Sequence, residues 1–76
     1  MSVIPIIGVR VMLRVLQKSG FYVVRQTGSH LRLVNPSINR SVTLPMHAGD
    51  LSRKMTAAIL KQAGISTLNF LELLGK

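Results

Sequence analysis

The chain has 76 residues, with ten Lys plus Arg against two acidic residues, a formal charge of +8, a sequence pI near 11.7 and no cysteine. The lack of cysteine excludes disulfides, thiolate nucleophiles and thiolate metal sites, and makes the cytoplasm the default compartment. A chain this short buries only roughly 60% of the surface its unfolded form exposes, so it reads as one small domain of modest stability over residues 1–76.

The charge points to a polyanionic partner, because phosphate contacts release condensed counterions and supply most non-specific nucleic-acid affinity. The basic residues run from Arg10 to Lys76 rather than collecting in a tail, so they belong to folded elements. The N-terminal "MSVIPIIGVR" has no basic leader, carries Pro5 inside its apolar run and meets Arg10 early. Neither a signal peptide nor a membrane span is expected there.

From Gly8 to Ser19, Val9, Met12, Leu13 and Leu16 recur at the spacing of one helix face, and Gly20 stands as a C-terminal stop. Arg10, Arg14 and Lys18 fall four apart and form a basic stripe beside it. "FYVVRQ" is rich in β-branched and aromatic residues and reads as a strand, with Thr27-Gly28 as a two-residue hairpin turn. "SHLRLV" alternates, sending Leu31 and Leu33 to one face and His30 and Arg32 to the other. "NPSIN" supplies the next turn, and "RSVTL" turns Val42 and Leu44 inward and Ser41 and Thr43 outward, with Pro45 ending the strand. After the link "PMHAGDL", Ser52 is an N-cap for a helix whose apolar side is Met55, Ala58, Ile59, Leu60 and Ala63, closed by Gly64. Ser66 caps a last short helix in which Leu68, Phe70, Leu71 and Leu74 are more than one face needs to bury. The expected fold is α+β, α-β-β-β-α, with a three-stranded antiparallel sheet covered by helices on its apolar face.

His30 therefore stands on the polar, basic face, beside Arg32 and after the Gly28-Ser29 pair. A neutral imidazole can take the proton of a ribose 2′-hydroxyl, and nearby guanidinium groups can stabilise the charge of a phosphorane-like transition state. These groups are a minimal kit for metal-free RNA cleavage. Two histidines and two carboxylates match no zinc or magnesium spacing, so no metal and no cofactor is expected. A hydrolase triad from Ser29, His30 and Asp50 lacks a nucleophile elbow, and adjacent strand residues face opposite ways. Phe21, Tyr22 and Phe70 are accounted for as core or sheet residues, so base stacking on the sheet is not expected.

"GFYVVRQTGSHLRLVNP", then "VTLPMH", "DL" and "ILKQAGIS", resembles the HicA (YcfA-like) family of mRNA-interferase toxins, in residue types and order, from about Ile4 to Leu74. The resemblance implies a fold similar to the double-stranded-RNA-binding domain and a ribosome-independent endoribonuclease, the toxin of a type II toxin–antitoxin system. It also implies that the catalytic histidine is that of Gly-Ser-His, here His30, and that a HicB-type antitoxin covers the same surface. Gly28 would set His30, with Ser29 and Arg32 as its neighbours in RNA binding. His47, in Pro-x-His, is the lesser candidate and otherwise shapes the link. Relatives often carry Gly-Thr-Leu where this chain has Lys54-Met55-Thr56, and a Glu where it has Val11; neither departure touches His30.

The candidate RNA contacts are thus Gly28, Ser29, Arg25, Arg32, Arg40 and Lys54, with the face of Arg25 depending on the register of its strand. The alternative is a non-catalytic RNA-binding or partner-binding module of the same fold, in which the charge matters and His30 does not.

Overall fold

The computed structural model describes residues 4–75; Lys76 and residues 1–3 of the N-terminal stretch lie outside them. In chain order the elements are β1 (Ile7–Gly8), α1 (Val9–Lys18), β2 (Tyr22–Thr27), β3 (His30–Asn35), β4 (Arg40–Pro45), a 3-10 turn (Met46–Ala48), β5 (Asp50–Leu51), α2 (Arg53–Ala63) and α3 (Thr67–Leu74). The main sheet is antiparallel in the order β2-β3-β4. Leu31 and Leu33 of β3 and Val42 and Leu44 of β4 point to one side. There they join Val9, Met12, Val15 and Leu16 of α1, Ile59, Leu60 and Ala63 of α2, and Phe70 of α3 in one buried cluster. The helices thus cover the apolar face, the arrangement of a double-stranded-RNA-binding domain, and His30, Arg32 and Val34 are left on the open face.

Helices α1 and α2 close in the same way. Phe21 N–H donates to Leu16 O and Gly20 N–H to Gln17 O; Ile65 N–H donates to Leu60 O and Gly64 N–H to Lys61 O. This is the Schellman pattern, in which orphan carbonyls of the last turn are satisfied by the chain turning back. It drops Phe21 and Ile65 into the core immediately after each helix. Ser52 and Ser66 cap α2 and α3 as expected, accepting from Met55 N–H and Asn69 N–H at 3.1 Å each.

The structure corrects three details. The β2–β3 turn is Gly28-Ser29, flanked by the Thr27/His30 pair, one residue later than the dipeptide Thr27-Gly28 indicates. The buried face of α1 takes Val15 alongside Val9, Met12 and Leu16, leaving Leu13 half-buried. The buried face of α2 is Thr56, Ile59, Leu60 and Ala63, whereas Met55 and Ala58 are exposed. The surplus of apolar residues expected on α3 is found: Phe70 is buried, whereas Leu68 is exposed and Leu71 and Leu74 are half-buried.

The link after β4 also carries structure with no sequence signal. Asp50 and Leu51 pair with Gly8 and Ile7 as a two-stranded antiparallel ribbon, and Val9 N–H donates to Gly49 O at 2.7 Å. That ribbon ties the N-terminus of α1 to the segment that carries His47.

Among the described residues no helix is long and apolar enough to cross a membrane.

Candidate active site

The site is built on the tip of the β2–β3 hairpin. Gly28 has φ +60° and Ser29 does not have positive φ, the combination of a type II′ turn, whose backbone twist matches that of the strands it joins. Glycine is the residue that takes the first position of that turn without steric cost. Gln26 Nε2 donates to Gly28 O at 3.3 Å across the loop. His30, the first residue of the central strand, is held between Thr27 on β2 and Pro45 on β4, and its side chain is exposed on the open face.

Pro45 leads directly into the 3-10 turn, and that turn folds back over the hairpin tip. Met46 N–H donates to Ser29 O at 2.7 Å, and Ser29 Oγ lies 2.9 Å from His47 Nδ1. One residue of the hairpin thus holds two successive residues of the link. The imidazoles of His30 and His47 meet edge to face, with centroids 5.7 Å apart and ring planes at 67°. Both rings are exposed. The two histidines of the chain, 17 positions apart in sequence, form one cluster with Ser29.

The arginines are arranged by register. Between Val23 and Arg25 the β2–β3 pairing slips by one, so Val24 is an extra residue and Arg25 sits opposite Arg32. A β-bulge of this kind reverses the phase of everything beyond it on the strand. Without it Arg25 would turn toward the helices; with it, Arg25, Arg32 and Thr43 form a row on the open face. The Thr27, His30, Pro45 row lies beside it, two residues or about 7 Å along the strand. The Arg32 guanidinium leans away from His30, its Nη2 donating to Ser41 Oγ at 3.4 Å. There it borders an open groove of about 320 Å³, lined also by Val34, Asn35, Pro36, Asn39, Arg40 and Ser41.

Of the residues singled out in the sequence, the structure brings Gly28, Ser29, His30, Arg25 and Arg32 together on one surface, with His47 added. Arg40 lies at the far end of the groove that Arg32 borders. It pairs with Asn35 at the far end of β3, and its Nη1 donates to the carbonyls of Lys61 and Gln62, both at 3.3 Å, in the last turn of α2. Its charge is placed against the negative end of a helix dipole. Lys54 is an exposed residue in the first turn of α2, in the helix layer rather than on the open sheet face.

Sequence reading did not find the Ser29–His47 contact. The available signal was Pro45: once the register sets it opposite His30, two further residues bring the chain back to the hairpin tip. Among the described residues no group of three or more His, Asp or Glu side chains comes together in a way that could hold a metal ion.

Fold and site together define a small basic domain of the double-stranded-RNA-binding type, whose open sheet face carries imidazole and guanidinium groups, with the exposed Tyr22 ring at the far end opposite Val34. The sequence model of the HicA toxins of bacterial toxin–antitoxin systems matches residues 9–65, three quarters of the chain, and the protein belongs to that family. The matched span holds α1, the whole sheet, both histidines and α2. A comparison with curated proteins found no match.

Proposed function

We propose that this toxin is an endoribonuclease that cuts mRNA without a ribosome or a metal ion, with His30 as its proton-transfer group. The observation that carries the reading is His30 at the end of the central strand, beside the Arg25, Arg32 row, on the face the helices leave open. In this reading the RNA backbone lies along that face. The His30 imidazole accepts the proton of a ribose 2′-hydroxyl, O2′ attacks the adjacent phosphorus, and the P–O5′ bond breaks. Guanidinium groups of Arg25 and Arg32 supply positive charge where the equatorial oxygens gain negative charge. Gly28 and Ser29 set the angle at which His30 leaves the strand. The groove beyond Arg32 is suited to the next phosphates of the strand, and Lys54 to a more distant backbone contact. Arg40 lines the far end of that groove, but its guanidinium is engaged at the end of α2 and is kept out of the phosphate contacts.

Membership in a toxin–antitoxin family implies an antitoxin. We assign it as a HicB-type protein that lies over the His30 face and excludes RNA, acting with the toxin in the cytoplasm. The excess of eight positive charges favours an acidic partner surface.

Induced expression of the parent and of His30→Ala, at equal abundance and with both shown to be folded, tests this. The parent should arrest growth and deplete cellular mRNA, and the variant should do neither. Equal arrest by both would favour a non-catalytic RNA-binding or partner-binding module.

A further inference from the structure

We infer that His47 is a second catalytic residue, the general acid that protonates the leaving 5′-oxygen while His30 acts as the base. The inference rests on the RNA-cleaving reading and extends it from one proton-transfer group to two.

Three observations carry it. First, His47 is placed rather than merely nearby. Ser29 binds the 3-10 turn through its carbonyl, to Met46 N–H at 2.7 Å, and through its hydroxyl, to His47 Nδ1 at 2.9 Å. The β1–β5 ribbon anchors the other end of the same link. The ring itself is exposed and fills no part of the core, so packing does not account for this hold.

Second, the partner chosen for Nδ1 is a hydroxyl. A serine hydroxyl donates to a bare ring nitrogen and accepts from a protonated one. When the proton leaves from Nε2, Nδ1–H donates to Ser29 Oγ both before and after the transfer. With Nδ1 held, Nε2 is the nitrogen left for the substrate.

Third, the spacing suits one phosphodiester. In-line displacement sets the attacking O2′ and the departing O5′ on opposite sides of phosphorus. One imidazole cannot meet both at once. Two rings that meet edge to face with centroids 5.7 Å apart leave no room for a phosphate between them, but a phosphate lying across both can present one oxygen to each at a hydrogen bond of about 3 Å.

The step balances within these groups. The 2′-hydroxyl proton passes to His30, the O2′–P bond forms, the P–O5′ bond breaks, and the proton on His47 Nε2 passes to O5′. The products are a 2′,3′-cyclic phosphate and a 5′-hydroxyl end. His30 finishes protonated and His47 neutral, and exchange with water restores both. No co-reactant is consumed.

The test uses an RNA oligonucleotide carrying a linkage that the parent cuts, and the same oligonucleotide with sulfur in place of the bridging 5′-oxygen. A thiolate leaves without being protonated, so the sulfur substrate needs no general acid. His47→Ala and His47→Gln should cut the oxygen substrate at least about 100-fold more slowly than the parent, the low end for loss of a general acid. Both should cut the sulfur substrate nearly as fast as the parent does. The glutamine variant keeps polar bulk beside Ser29 but has no proton to give, which separates acid chemistry from positioning. His30→Ala should be slow on both substrates.

A His47 defect equal on both substrates would make it a positioning residue and overturn the assignment. A His47→Ala as fast as the parent on the oxygen substrate would also overturn it. A folded parent that cuts no linkage in any RNA offered to it would refute the nuclease reading itself.

Discussion

Replacing Gly64 by alanine tests whether Arg40 is a structural clamp on α2. Gly64 has φ +73°, and a Cβ added there would come within 2.7 Å of Arg40 Nε and 3.1 Å of its Cζ. The left-handed backbone alone costs a non-glycine residue about 1–2 kcal/mol. The new methyl must also push the guanidinium off the Lys61 and Gln62 carbonyls. That forfeits a cation at a helix C-terminus, about 0.5–1 kcal/mol at an exposed site. The sum, about 1.5–3 kcal/mol, corresponds to a Tm loss of roughly 6–24 °C at the 4–8 °C per kcal/mol of a domain this size. In an Arg40→Ala background the clamp is already gone, so Gly64→Ala should cost only its backbone part. Denaturant unfolding of the parent, the two single variants and the double variant gives the coupling directly. A coupling of about 0.5–1 kcal/mol is expected from the lost dipole contact. Strict additivity would refute the clamp, and Arg40 would return to the candidates for phosphate contact.

Three further outcomes follow from the same geometry. Thr56 Oγ1 is fully buried without a hydrogen-bond partner, so Thr56→Val should raise stability by about 1 kcal/mol, the low end for an unsatisfied buried polar group; thermal unfolding decides it. Phe70 is fully buried in α3, beyond the span matched by the family. Phe70→Ala should lose about 3–5 kcal/mol, and an unfolding midpoint close to the parent's would show that α3 is an appendage. Arg25→Ala and Arg32→Ala should each lower the slope of log affinity for RNA against log salt by about one, and Arg40→Ala should leave it unchanged. A slope altered only by Arg40→Ala would reverse the assignment of the basic face.

The parts of the fold that were legible in the sequence are those where one strong period acts alone. "SHLRLV" and "RSVTL" alternate cleanly, so their faces and the exposure of His30 could be read directly. Serine before each of the last two helices and glycine after the first two could be read as caps because capping is local. On α2 hydrophobicity alone sets Met55 inside with Ile59 and Leu60, yet Met55 stands in solvent and Thr56, small enough to be buried, takes its place.

What sequence could not reveal depends on pairing between distant segments. Nothing in "YVVRQT" marks Val24 as the bulged residue, yet that bulge decides whether Arg25 shares a face with His30. The β1–β5 ribbon has two residues per strand, too few to show a period. The Ser29–His47 contact follows from the register of β4 on β3 and from the fold of the 3-10 turn. Both histidines were visible as residues; their adjacency was not.

The most direct test of the central claim is the rate at which the purified protein cuts a defined RNA in the presence of a metal chelator, measured beside His30→Ala with both shown to be folded. Cleavage by the parent, reduced at least about 100-fold in the variant, is the expected result. Cleavage by His30→Ala within a few-fold of the parent would contradict it.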